Sequence, residues 1–304
     1  MSSAEFLCGG QYISRSQLPS PVLCPRIAAP DTGISAALPR DHNNPLIQVI
    51  WHLCFTAIAG VILGGIAAVS CIKDRPVGEQ QMTIEEAITS RKSVRAFTDT
   101  PVPRDTVRRI LEIAQRAPSG TNTQPWHVHV AAGAVRNAIA AEAYEMFQKG
   151  ETDSYAAHDY YPDVWTDTHQ DRRRQVGWDL YGLLGIQKGD RDASKQQAAR
   201  NYQLFDAPVG IFVTIDTYLG RGSWFDVGLY VQTIMLAARA EGLHTCPQAS
   251  WIVTPGPVRR HLNIPDDQAL VVGIALGHED KNAIENTLVS TRADIQDIVH
   301  FHGF

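Results

Sequence analysis

The chain has 304 residues, 44% of them hydrophobic and 19% charged, with a formal net charge of -5. That is the make-up of a soluble globular protein with enough chain for a sizeable core. A pI near 6.1 excludes a nucleic-acid binder that works by bulk positive charge. Its cysteines, Cys8, Cys24, Cys54, Cys71 and Cys246, show no C-x-x-C spacing, which argues against a structural zinc site and places the chain in a reducing compartment.

Composition shifts near residue 81. Residues 1–81 carry five basic and five acidic residues in Pro/Ser/Ala-rich stretches, so the net negative charge comes from residues 82–304. We read the first segment as an N-terminal extension and the second as the working domain, and Met82 could itself be a start of translation. Within the extension, Leu53–Ile72 is twenty residues without a charge. That length can span a bilayer, but the run is rich in Ala and Gly. A cytoplasmic protein is the expectation, with a membrane anchor through Leu53–Ile72 as the alternative.

From residue 82 the elements follow one another clearly. Thr83 with Glu86 three residues on is a capping-box pattern. It predicts a short helix ending near Arg91, with Ile84, Ala87 and Ile88 on one face. Pro103 opens a second helix whose buried stripe is Val107, Ile110, Leu111 and Ala114, with Pro118 and Gly120 closing it. Trp126–Ala132 alternates as a strand, 134–148 is helical, and 150–200 is polar, aromatic-studded and helical with long loops. Val209–Ile215 and Ala269–Gly277 are near-continuous apolar runs and hence buried strands. A long apolar helix between them closes at Gly242. The pattern gives an α+β domain with a helix-covered sheet.

Three stretches can carry chemistry. Arg91, Lys92 and Arg95 surround Ser93; guanidinium forks, an ammonium and a hydroxyl suit a phosphate or a polarised carbonyl, although cations at a helix end also form a solvated face. The small-residue loop Pro118–Asn122 lets a flat ligand approach its backbone, or simply connects helix to strand. The run from Glu241 to Trp251 contains Cys246, for which no base is identifiable, so it reads as a small buried hydrophobe. His127 and His129 repeat the spacing of His300 and His302. No carboxylate or cysteine set completes a metal site, and none is expected. Arg172, Arg173 and Arg174 stand near Asp171 and Asp179 and read as a solvated helix face.

Together these stretches resemble the flavin-dependent nitroreductase family. The carriers are "SRKSVRAF", "APSGTNTQPW", "EGLHTCPQAS" and the closing "STRADIQDIVHFHGF", in that family's order over residues 82–304. The resemblance implies a mixed central sheet covered by helices, in an intertwined homodimer with C-terminal arm exchange and FMN at the interface. It implies that Arg91, Lys92, Ser93 and Arg95 bind the FMN phosphate and the N1/O2 ring edge, with Arg292 on the phosphate. Pro118, Ser119, Gly120 and Asn122 would reach the flavin from the partner subunit. Pro247, Gln248 and Ala249 would lie against the ring, with Asn201 as a further contact. No protein side chain is implied as the hydride carrier; Lys92 and Arg95 would tune the flavin. The implied activity is NAD(P)H-dependent reduction of nitroaromatics such as nitrobenzoates or dinitroanilines to hydroxylamine or amine. The aromatic residues of 144–181 would form a lid or serve as core and interface. A sister flavoenzyme reducing quinones, enones or halogenated aromatics is the alternative, as is a flavin-binding module without turnover.

Overall fold

The two apolar runs become the inner strands of a four-stranded antiparallel sheet, which is where buried backbone needs partners on both sides. The structure, a computed structural model, describes residues 7–8, 11–12, 82–151, 153 and 160–304. The chain divides into two units, Met1–Val77 and Gly78–Phe304. In the first, Leu7–Cys8 pairs antiparallel with Gln11–Tyr12; the apolar segment Leu53–Ile72 lies outside the described residues. Among those residues no helix is long and apolar enough to cross a membrane.

In the second unit, α1 spans Ile84–Ser90 and α2 Arg104–Ala114. Strand β1 is Trp126–Ala132 and α3 is Gly133–Lys149. Helices α4 (Asp167–Leu183) and α5 (Arg191–Ala199) lead through a 3-10 segment, Arg200–Asp206, into β2, Val209–Asp216. Helix α6 is Arg221–Ala240, β3 is His244–Gln248, and α7 and α8 are Ser250–Val253 and Gly256–Leu262. Strand β4, Gln268–Gly277, is followed by 3-10 turns at Ile284–Thr287 and Ile295–Asp297. The strand order is β1-β2-β4-β3.

The capping box forms as expected, with Thr83 Oγ1 accepting from Glu86 N–H at 3.1 Å and Glu86 returning to Thr83 N–H. Only Ala87 of the anticipated apolar face is buried, however; Ile84 is 78% exposed. Helix α6 ends in a Schellman motif. Gly242 adopts φ +73, its N–H bonds Arg239 O, and Leu243 N–H bonds Ala238 O, the arrangement that lets a chain reverse without orphaning the last carbonyls. Strand β3 is the element the sequence pattern did not show. It is five residues long, contains Pro247, and sits at the sheet edge, where a missing N–H is tolerated.

One face of the sheet packs on α2 and α6 through Val107, Ile110, Val213, Tyr230 and Ile234. The other packs on α3, α7, α8 and the 200–206 turn through Ile139, Leu204, Phe205, Phe212 and Trp251. On that second face Gly273 gives its missing side chain's space to the indole of Trp251: a Cβ there would lie 2.3 Å from the ring. Gly273→Ala is therefore expected to lower the urea-unfolding free energy by about 1–3 kcal/mol through overpacking. Gly228→Ala, in open space on α6, should leave it equal or up to about 1 kcal/mol higher, since Ala favours the helix.

Candidate functional site

Helix α1 stops because Arg91 turns to extended backbone (φ -67, ψ 123). The chain from there runs alongside the sheet. Ser93 makes a parallel bridge with Thr245 of β3, Phe97 an antiparallel bridge with Glu279, and Val94 N–H donates to Thr245 O at 3.1 Å. Val94, Ala96 and Phe97 are buried, while Arg91, Lys92, Ser93 and Arg95 are half-buried. The cations are thus displayed by an extended segment and not by the last turn of a helix.

They open onto a cavity of about 590 Å³ lined by Arg91, Lys92, Ser93, Arg95, Ser290 and Arg292, with Ile88, Val176 and Leu288 as apolar wall. Five of the expected site residues are therefore brought together in one chain. Among the described residues no carboxylate lines it. Arg292 Nη1 donates to Ser290 Oγ at 2.8 Å and to the carbonyls of Ser290 and Thr291, which curls its fork over the end of the cavity. Such a donor set, guanidinium groups with hydroxyls, fits a phosphate group.

Lys92 differs from the other three cations. Its Nζ lies 2.7 Å from Glu279 Oε1 and donates to Asn286 O at 2.5 Å, so it reaches the cavity with its charge already matched. Glu279 Oε2 also lies 3.2 Å from His244 Nε2, and Arg239 Nη1 is 3.0 Å from the same nitrogen. Burial, then the Arg239 charge, pushes the His244 imidazole down to about 4, so the ring is neutral and can accept from Arg239.

The remaining expected residues lie off that wall. Pro118, Ser119, Gly120 and Asn122 form an exposed loop in which Thr121, Asn122 and Gln124 have φ +49, +61 and +47. Left-handed backbone at non-glycine residues is uncommon and is stored where the surroundings enforce it. Here buried Asp226 accepts from Gly120 N–H at 3.0 Å, and Ser119 Oγ accepts from Gln124 N–H at 2.9 Å. Gln248 and Asn201 turn inward and meet each other: Gln248 Nε2 donates to Asn201 O at 2.7 Å while its Oε1 accepts from Trp251 Nε1 at 3.2 Å. The Gln248 amide is thus engaged by protein partners on both its nitrogen and its oxygen. Pro247 lies within the edge strand, paired with Ile274, and Ala249 caps α7. Cys246 is buried, and burial raises its thiol to about 11, in keeping with an unreactive core residue.

Glu279 and Asn286 stand outside every motif read from the sequence; His244 lies within "EGLHTCPQAS", and Asp226 and Arg239 within the long apolar helix, with no role read for them there. His127 pairs with Asp216 at 2.9 Å, and among the described residues no group of three or more His, Cys, Asp or Glu could hold a metal. Arg172, Arg173 and Arg174 are all exposed on α4.

With the cavity and its cations described, comparison with known proteins defines the class. Residues 88–278 match the profile of the Nitroreductase family, and the chain belongs to that family. The 4-nitrobenzoate reductase of Pseudomonas putida is 38% identical over 220 residues, 72% of this chain and 96% of its own length. The chloronitrobenzene nitroreductase of Comamonas testosteroni is 33% identical over 218 residues, 72% of this chain and 96% of its own. Among solved structures, the FMN and NADPH-dependent nitroreductase NfnB from sphigopyxis sp. strain HMH superposes with a TM-score of 0.69. Its identity is 38%, and the match covers 73% of this chain and all of that one.

The depressed His244 pKa has a consequence for stability. The unfolded ring titrates near its ordinary value of 6.5 and the folded ring near 4, so the unfolded chain binds more protons between those values and stability falls as pH falls. Urea unfolding of the wild type should lose roughly 2 kcal/mol more than His244→Asn between pH 6.5 and 5. Equal losses in the two proteins would contradict the assignment.

Proposed function

We propose that this chain is an FMN-dependent oxidoreductase that takes reducing equivalents from NADPH or NADH and reduces the nitro groups of aromatic compounds of the nitrobenzoate and dinitroaniline kind. The cavity that gathers Arg91, Arg95 and Arg292 with the Ser93 and Ser290 hydroxyls carries the reading, and the named activities of the relatives support it. When bound, FMN would supply hydride chemistry between the nicotinamide and the nitro compound, with hydroxylamine or amine as product.

The chain's own residues bind, orient and polarise. Arg91 and Arg292 offer planar forks to the phosphate dianion, and the Ser93 and Ser290 hydroxyls fill its remaining acceptor directions. Arg95 places a fixed positive charge where negative charge grows on reduction, so no solvent has to reorganise at that moment. Lys92 adds less, because Glu279 already offsets it. The bonds from Gln248 to Asn201 and Trp251 hold the backbone at Pro247–Ala249 still, which keeps the Ala249 N–H as a preset donor to the ring. Water supplies the protons, so no acid–base dyad is required of the protein.

We further infer that a homodimer completes the site, the loop at Pro118–Asn122 serving the cofactor of the partner subunit. Two features support this. The segment after residue 290 exposes Ile295, Ile298, Phe301 and Phe304 at 61%, 62%, 71% and 105%, an apolar run that water does not favour leaving bare. Strand β1 also has one edge without a partner among the described residues, beside a hollow of about 730 Å³ lined by Val107, Leu111, Val128 and Val130. An arm exchanged between copies would cover both.

The purified protein should be yellow, and NADPH oxidation should depend on added 4-nitrobenzoate; a colourless protein that cannot take up FMN refutes the reading. Arg91→Ala and Arg292→Ala should each weaken FMN binding at least about tenfold, the loss of a charge-assisted phosphate contact, measured by flavin fluorescence. A chain shortened to residue 293 keeps Arg292 but should sediment as a monomer and retain FMN poorly.

A further inference from the structure

The segment that carries the cations is 190 residues away in sequence from the residue that holds it. Asn286, in the turn after β4, is 2% exposed. Its Oδ1 accepts from Arg95 N–H at 2.7 Å. Its Nδ2 donates to Ala96 O at 2.8 Å and to Asp280 O at 2.9 Å. Its own carbonyl accepts from Lys92 Nζ at 2.5 Å. A carboxamide is the smallest side chain that offers one acceptor and two donors in a plane. A carboxylate of the same size lacks both donors, and a hydroxyl lacks the reach.

Two of these four bonds hold residues of the cavity wall, Arg95 and Lys92, and the other two tie Asn286 to Ala96 and Asp280 behind it. Asp280 N–H donates back to Ala96 O at 3.0 Å, so Asn286 closes a small ring between the two backbones. The Arg95 guanidinium has its one protein hydrogen bond among the described residues to Ser93 O, at 3.3 Å, two residues away on the same segment. Its direction therefore follows the backbone that Asn286 fixes. Lys92 is held from the other side, between Asn286 O and Glu279.

We propose that Asn286 is a positioning residue of the cofactor wall, setting the height and direction at which Arg95 and Lys92 meet the N1/O2 edge of the flavin. The proposal rests on the FMN reading above. It assigns Asn286 to the ring edge and leaves the phosphate to Arg91 and Arg292.

The full chain, as wild type, Asn286→Ala, Asn286→Asp and Arg292→Ala, is titrated with FMN and with riboflavin, and the two-electron midpoint potential is measured at saturating FMN. Asn286→Ala should weaken FMN and riboflavin alike. It should also make the potential about 30 mV more negative, the equivalent of an about tenfold loss in preference for reduced over oxidised flavin. Asn286→Asp, which keeps the acceptor for Arg95 and loses both donors, should move both quantities in the same direction. Arg292→Ala should weaken FMN while leaving riboflavin unchanged. A saturated Asn286→Ala protein with a lowered melting temperature and an unaltered potential would reduce Asn286 to a structural role and overturn the proposal. Failure of both Asn286 variants to fold while Arg292→Ala folds would overturn it equally. A wild type that binds neither flavin removes the FMN reading, and the proposal with it, a result distinct from any variant-specific change.

Discussion

The site depends on one pairing, the attachment of residues 91–97 to the edge of the sheet. Strand β3 is short and interrupted by Pro247, and an edge left open would be a liability. Ser93 bridges Thr245 and Val94 donates to its carbonyl, which satisfies that edge and at the same time fixes the alternation of the segment. Val94 and Ala96 go into the core, so Ser93 and Arg95 must face the other way. Three arginines and a lysine can then share one cavity without a helix to display them. Phe97, bridged to Glu279 and bonded to Phe205 O, locks the far end.

That pairing is also why the polar neighbours matter. Lys92 alone would place an uncompensated ammonium in a partly buried wall; Glu279 offsets it. His244 stays neutral beside Arg239, so the cluster does not accumulate positive charge behind the cavity. The uncompensated charge is thereby restricted to the guanidinium groups in front.

Much of this was legible in the residues. The apolar runs at Val209–Ile215 and Ala269–Gly277 could only be inner strands, Gly242 marked the end of α6, and Thr83 with Glu86 marked the start of α1. The cation cluster and Arg292 were legible through their resemblance to a family, and the structure brings them into one cavity. Strand β3 was not legible, because "HTCPQ" has neither alternation nor an apolar run and its strand character comes from β4 on one side and Ser93 on the other. Glu279 and Asn286 were invisible for a related reason: their partners lie nearly two hundred residues away, and no local period records such a contact. Ile84 and Ile88 show the converse, a helical spacing that suggests burial where the described chain leaves both residues exposed.

That no carboxylate lines the cavity among the described residues has a further consequence. A cradle built from guanidinium groups holds no counter-ion of its own, so it draws one from solution. In any buffer that contains inorganic phosphate or sulfate, that anion competes for the same forks. The cofactor then enters by exchange, and an affinity measured under those conditions is a ratio of two affinities, one for the nucleotide and one for the salt.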